Sequence, residues 1–157
     1  MKRPLLSFYL MGFVLLTMII SCQKLASPKE FGCLALVTPA YLKFNVIDKN
    51  SGQDLFFSAS PKYQIVSLYL FEKNDKTRKD TIRPDVIGTG PSRYFKLRLN
   101  NTVLKDTLIF KIAPNTDDEL MSIFKLTDGQ CPQPIVDKAY FNGVMLTANQ
   151  DIYTINK

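Results

Sequence analysis

The chain has 157 residues, with 20 lysines and arginines against 14 aspartates and glutamates, a net charge of +6, three cysteines and no histidine. The length suits one domain with a real core. The absence of histidine excludes Ser-His-Asp and Cys-His catalysis and imidazole-bound zinc. Nucleic acid is not an expected partner, because only Lys73 to Arg83 is densely basic and Glu72, Asp75 and Asp80 interleave it, as in a solvated loop.

The front of the chain has three parts. Lys2 and Arg3 form a cationic start. Leu5 to Ile20 is apolar and broken only by Ser7, Gly12 and Thr17, which makes it short for a membrane span of about 20 residues. Ile19-Ile20-Ser21-Cys22 follows, so residues 1–21 read as a secretion signal. The last four residues resemble the bacterial lipobox: an aliphatic residue, a tolerant position, a small residue and cysteine. The resemblance implies a diacylglycerol thioether on Cys22, cleavage just before it, and anchoring by acyl chains at about 0.8 kcal/mol per buried methylene. The membrane is then a partner through the lipid on Cys22.

Residues 22–31 read as a lipidated tether, polar from Gln23 to Glu30 and broken by Pro28. Gln23 does not resemble the aspartate that retains such proteins at the inner membrane. The segment also lacks the acidic run that resembles a surface-export signal. The expected address is the cell envelope, at the periplasmic face of the outer membrane. Without its signal the chain keeps 18 basic and 14 acidic residues, a net charge of +4. With Cys22 lipidated, Cys33 and Cys131 remain as an expected disulfide in an oxidising compartment. Two buried thiols are the alternative.

Residues 32–157 carry a period of two. Tyr41 to Ile47 alternates and meets the turn cluster Asp48 to Gly52, with Asp54 to Phe57 as a candidate return strand. Gln64 to Phe71 predicts a second strand, and Thr81-Ile82-Arg83 a short edge strand before Pro84. Tyr94 to Leu99 places Phe95, Leu97 and Leu99 inward, with Lys96 and Arg98 outward. Thr107 to Ala113 and Leu120 to Thr127 predict further strands. Val136 to Phe141, Asn142-Gly143 and Val144 to Thr147 predict a type I′ hairpin. Ile152 to Ile155 closes the set. The pattern predicts an all-β fold, an antiparallel two-sheet sandwich of immunoglobulin-like general form, with a small β-barrel as the alternative.

Four segments together resemble a family of small Bacteroidota lipoproteins. They are the lipobox, Phe44 to Lys49 with Gly52 to Phe57, the late Cys131-Pro132, and Tyr140-Phe141-Asn142-Gly143 running on to Ile152-Tyr153-Thr154-Ile155. The resemblance covers most of residues 33 to 157. It implies a lipid-anchored all-β domain and supplies no catalytic residue.

No metal or cofactor is expected. Asp117-Asp118-Glu119 is the acidic cluster, and adjacent acids on a turn point apart. Asp48 to Asp54 imitates the start of a calcium loop, but Gly52 comes one place early and Ala59 stands where the bidentate glutamate is needed. Asp80-Thr81-Ile82 and Asp106-Thr107-Leu108 resemble an O-glycosylation acceptor, giving Thr81 and Thr107 as candidates. The first functional reading is a non-enzymatic envelope module that binds a protein, peptide or glycan through loops or an edge strand. The others are a carboxylate-dependent hydrolase, with two acids in a deep pocket, and a purely structural protein.

Overall fold

Alternation with a period of two sets the architecture. The computed structural model describes residues 38–100, 104–114, 117–129 and 131–157. In chain order the strands are β1 (Tyr41–Ile47), β2 (Leu68–Glu72), β3 (Asp85–Ile87), β4 (Tyr94–Arg98), β5 (Lys105–Ile112), β6 (Asp118–Leu126), β7 (Pro134–Phe141), β8 (Val144–Met145), β9 (Ala148–Asn149) and β10 (Ile152–Asn156). They form two five-stranded sheets, ordered β3-β4-β1-β10-β9 and β2-β5-β6-β7-β8. Neither sheet closes on itself, so the fold is a β-sandwich and the small-barrel alternative is set aside. Leu36–Lys157 forms a compact unit. Among the described residues, no helix is long and apolar enough to cross a membrane.

Each of the longer strands turns apolar side chains inward. Leu42, Phe44 and Val46 of β1, Phe95 and Leu97 of β4 and Ile155 of β10 are buried from the first sheet. Leu68 and Leu70 of β2, Leu108, Phe110 and Ile112 of β5, and Leu120 and Phe124 of β6 meet them from the second. The ring of Phe44 lies 5.4 Å from that of Phe95 and 6.0 Å from that of Phe110, joining the two layers. Burial of such side chains stabilises the fold by about 1.5–3 kcal/mol each.

Most neighbouring strands are antiparallel, but β1 and β10 run parallel, from Lys43 opposite Ile152 to Ile47 opposite Asn156. Alternation reports which face a residue takes and carries no sign of strand direction. At the β7–β8 hairpin the structure agrees with the sequence reading: Asn142 and Gly143 have φ of 49° and 79°, and Phe141 pairs with Val144. Gln150 (φ 50°) and Asp151 (φ 63°) make a second two-residue turn between β9 and β10 without glycine.

Three segments depart from the sequence reading. Asp54 makes one bridge to Ile47, and then the chain leaves the sheet. The Asp54 carboxylate accepts bonds from the backbone N–H groups of Phe56 (2.8 Å) and Phe57 (2.7 Å), which curls Leu55, Phe56 and Phe57 into the core together. Residues Ile65–Ser67 form a 3-10 turn, and the strand starts only at Leu68. Ile82 makes a single bridge to Leu70, and the edge strand forms later, at β3.

Candidate functional site

Cys22 and Cys33 lie outside the described residues. Cys131 sits in the exposed turn that leads into β7. Reciprocal bonds between Thr127 and Gln133 close that turn, backbone N–H to carbonyl at 2.9 Å and Gln133 N–H to the Thr127 hydroxyl at 2.8 Å. Thr81 is exposed on the extended approach to the Ile82 bridge. Thr107 is half-buried inside β5, where its carbonyl accepts the Lys73 N–H at 3.2 Å.

The acidic cluster serves the fold. Asp118 and Glu119 begin β6 instead of lying in the preceding turn. Asp117 pairs with Arg78 at 2.6 Å and Lys111 at 3.1 Å, and the bond from Lys111 leads the causes that lower its pKa. Asp118 pairs with Lys157, and Glu119 with Lys73. The Asn142 side chain ties the β7–β8 turn to both: its amide donates to Asp118 and its carbonyl accepts the Glu119 N–H, each at 2.8 Å. Three adjacent acids therefore pin the 73–78 loop, the hairpin and Lys157 to the start of β6 and the residue before it. Arg78 also lies over the ring of Phe71, which is buried on the outer side of the second sheet. The 73–80 loop is thus partly bound down, where the sequence suggested free solvation.

The Asp48 loop is a capped turn, as expected. The Asp48 carboxylate accepts the N–H groups of Asn50 and Ser51, both at 2.9 Å. The Ser51 and Asn50 bonds are the main causes of its lowered pKa. Among the described residues, no group of three or more acids or cysteines could hold a metal ion.

Two carboxyl groups, Glu72 and Asp106, share a cleft of about 320 Å³ lined also by Lys73, Asn74, Asn100, Lys105 and Thr107. Burial pushes the Asp106 carboxyl above the usual range, against bonds from the backbone N–H groups of Asn100 and Thr107, and Glu72 adds to the rise. Asp106 stands opposite Ser122 on β6. Ser122 is 1% exposed, and its hydroxyl has no hydrogen-bond partner. The sequence reading missed this pair because Glu72 and Asp106 meet only through the β2–β5 register.

A second cleft, about 310 Å³, opens where β1, β7 and β10 meet, between Tyr41, Lys43, Ile135, Asp151 and Tyr153. The solvent face of the first sheet carries a third feature. Lys43 stands opposite Lys96, and Tyr41 opposite Arg98. Burial alternates along both strands, so these four residues project away from the core. The six ion pairs among the described residues use Lys62, Lys73, Arg78, Lys111, Lys125 and Lys157, so Lys43, Lys96 and Arg98 take part in none of them. On the same face Asn45 stands opposite Thr154, and the Asn45 side-chain carbonyl is buried without a partner. Outward projection of Lys96 and Arg98 was legible in the sequence; their meeting with Lys43 was not.

The chain matches no family model, no curated protein and no solved structure.

Proposed function

We propose that this chain is a lipid-anchored module of the bacterial cell envelope that binds its partner without transforming it. Ile19-Ile20-Ser21-Cys22 supports the anchor, with lipid on Cys22 and residues 1–21 removed. Gln23 and the absence of an acidic run behind Cys22 support the periplasmic face of the outer membrane. A disulfide between Cys33 and Cys131 belongs to the same reading. The Thr38 side chain bonds that of Gln133, and these residues stand five and two positions from the two cysteines. Of the two O-glycosylation candidates, exposed Thr81 is better placed than half-buried Thr107.

The observation that carries the binding role is the cationic face of the first sheet, where Lys43, Lys96 and Arg98 stand together and form none of the ion pairs among the described residues. The partner is an envelope protein, peptide or glycan. Adding a strand at a sheet edge is the poorer route to it. The edge strands β8 and β9 have two residues each and β3 has three, while the Ile82 bridge covers the middle of β2. Short or covered edges offer little backbone to pair with. Photo-cross-linking from position 87, where exposed Ile87 stands beside the three cations, tests the reading in intact cells. A discrete adduct, lost when Lys43 and Lys96 become glutamine, is expected; no adduct from this face would refute it.

Asp106 favours a second reading, a carboxylate-dependent hydrolase. A carboxyl held above its ordinary pKa beside a second acid has the character of a general acid. Hydrolysis of an envelope glycan or ester that Asp106→Asn abolishes would establish it; equal turnover by the variant would remove it.

A further inference from the structure

We infer that the solvent face of the first sheet binds an acidic polysaccharide, a sugar chain carrying carboxylates. The inference rests on the binding-module reading and names its ligand class. It starts from an electrostatic cost. Lys43 and Lys96 are directly opposite one another across an antiparallel pair. Like charges so placed destabilise a sheet, since opposed Cβ atoms lie only about 4.5–5.5 Å apart. Arg98 stands two residues further along β4, opposite Tyr41, and adds a third positive charge. The acid paired into this row is Asp85, opposite Lys96 on β3, and it forms no ion pair within 4.0 Å. Among the described residues, the fold thus keeps three cations together on one face, near Asp85 and Asp151, and none of them forms an ion pair with an acid.

The neighbours of these cations narrow the ligand. The Lys96 ammonium lies 4.0 Å from the centre of the Tyr41 ring, and Tyr41 is 39% exposed. Tyr94 and Ile87 pair beside them. Thr154 adds a hydroxyl on the same face. Cations for carboxylates, aromatic and aliphatic surface for sugar rings, and a neutral polar group for hydroxyls are the chemistry of an acidic glycan. A lipid surface fits less well. The most exposed apolar side chains, Leu104, Val144, Val66, Leu126 and Met145, belong to the other sheet or its flanks. Nucleic acid fits less well because three cations beside Asp85 neutralise few phosphates, and phosphate contacts dominate that affinity.

The test uses the full chain purified in a nonionic detergent. Polygalacturonate is the probe, and neutral dextran, a single-stranded oligonucleotide and phosphatidylglycerol vesicles are compared with it. Binding to polygalacturonate alone is expected, and it should fade near 0.3 M salt, where exposed charges are screened. Lys43→Gln, Lys96→Gln and Arg98→Gln together should weaken it about tenfold, the loss of three exposed charge contacts. Lys76→Gln, Lys79→Gln and Lys138→Gln remove the same charge from exposed positions elsewhere and should leave binding unchanged.

Failure to bind polygalacturonate, an equal loss in both triple variants, or tighter binding of oligonucleotide or vesicles through the same trio would each overturn the inference. The wild-type result stands even if the first triple variant fails to fold. If polygalacturonate fails while the position-87 adduct persists, the ligand class falls and the binding module survives. If both fail, both readings fall.

Discussion

Replacing Ser122 with alanine should stabilise the domain. Ser122 lies on β6 between Leu120 and Phe124, opposite Asp106 and Ala139, and its buried hydroxyl has no partner. An unbonded buried hydroxyl costs about 1–3 kcal/mol. Alanine removes one oxygen and leaves a gap smaller than a methyl group, a loss of up to about 1 kcal/mol. The net gain is about 1 kcal/mol, which raises Tm by about 2–6 °C in a domain of this size. Urea unfolding should show a higher midpoint with an unchanged m-value. Ser122→Thr keeps the hydroxyl and adds a methyl to a filled core, so it should lose about 1 kcal/mol or more. A Ser122→Ala variant destabilised by about 1 kcal/mol would refute the reasoning, since the hydroxyl must then hold a bond, with the Asp106 carboxyl the nearest partner the register offers.

Asp106→Asn should raise Tm at pH 7. The folded state holds this carboxyl above the ordinary aspartate value of 3.8, so it binds more protons than the unfolded chain, and its contribution to stability declines as pH rises through the interval above 3.8. The gain from asparagine should vanish below that pH, and an equal gain at pH 3 and pH 7 would contradict the cause given. Asp48, Asp75, Asp117 and Asp137 have the opposite sign: their lowered pKa values support folding at neutral pH, and that support is lost as pH falls below 3.8. Gly88→Ala should cost more than Gly143→Ala, on the order of 2–3 against 1 kcal/mol in denaturant melts. Both residues have positive φ, but a Cβ on Gly88 would sit 2.7 Å from the Ser92 carbonyl oxygen, whereas one on Gly143 meets open space. Cys131→Ser should lower stability by up to about 4.7 kcal/mol, the entropy of a loop of about 100 residues, and reduction of the wild type should reproduce the loss. A variant as stable as the wild type would argue against the Cys33–Cys131 bond.

The sequence was most legible where one physical rule acted alone. Strict alternation from Tyr94 to Leu99 revealed both faces of β4, and Asn142-Gly143 revealed its turn because few other pairs accept two positive φ values. Reading failed where a local side chain overrode the pattern. The carboxylate of Asp54 turned an apolar run into a buried curl, and Ile65 and Val66 resemble strand residues yet stand exposed at 39% and 65% in a 3-10 turn. It failed again where register mattered. Lys43 and Lys96, or Glu72 and Asp106, are ordinary exposed-strand residues until pairing sets them side by side. The parallel meeting of β1 and β10 left no trace at all, since either direction buries the same side chains.

Mass spectrometry of the amino-terminal tryptic peptide from membrane-extracted protein tests the account most directly. It should begin at Cys22, end at Lys24 and carry diacylglycerol on sulfur. A peptide still preceded by Ser21, or a bare thiol at Cys22, would contradict the anchored envelope protein described above.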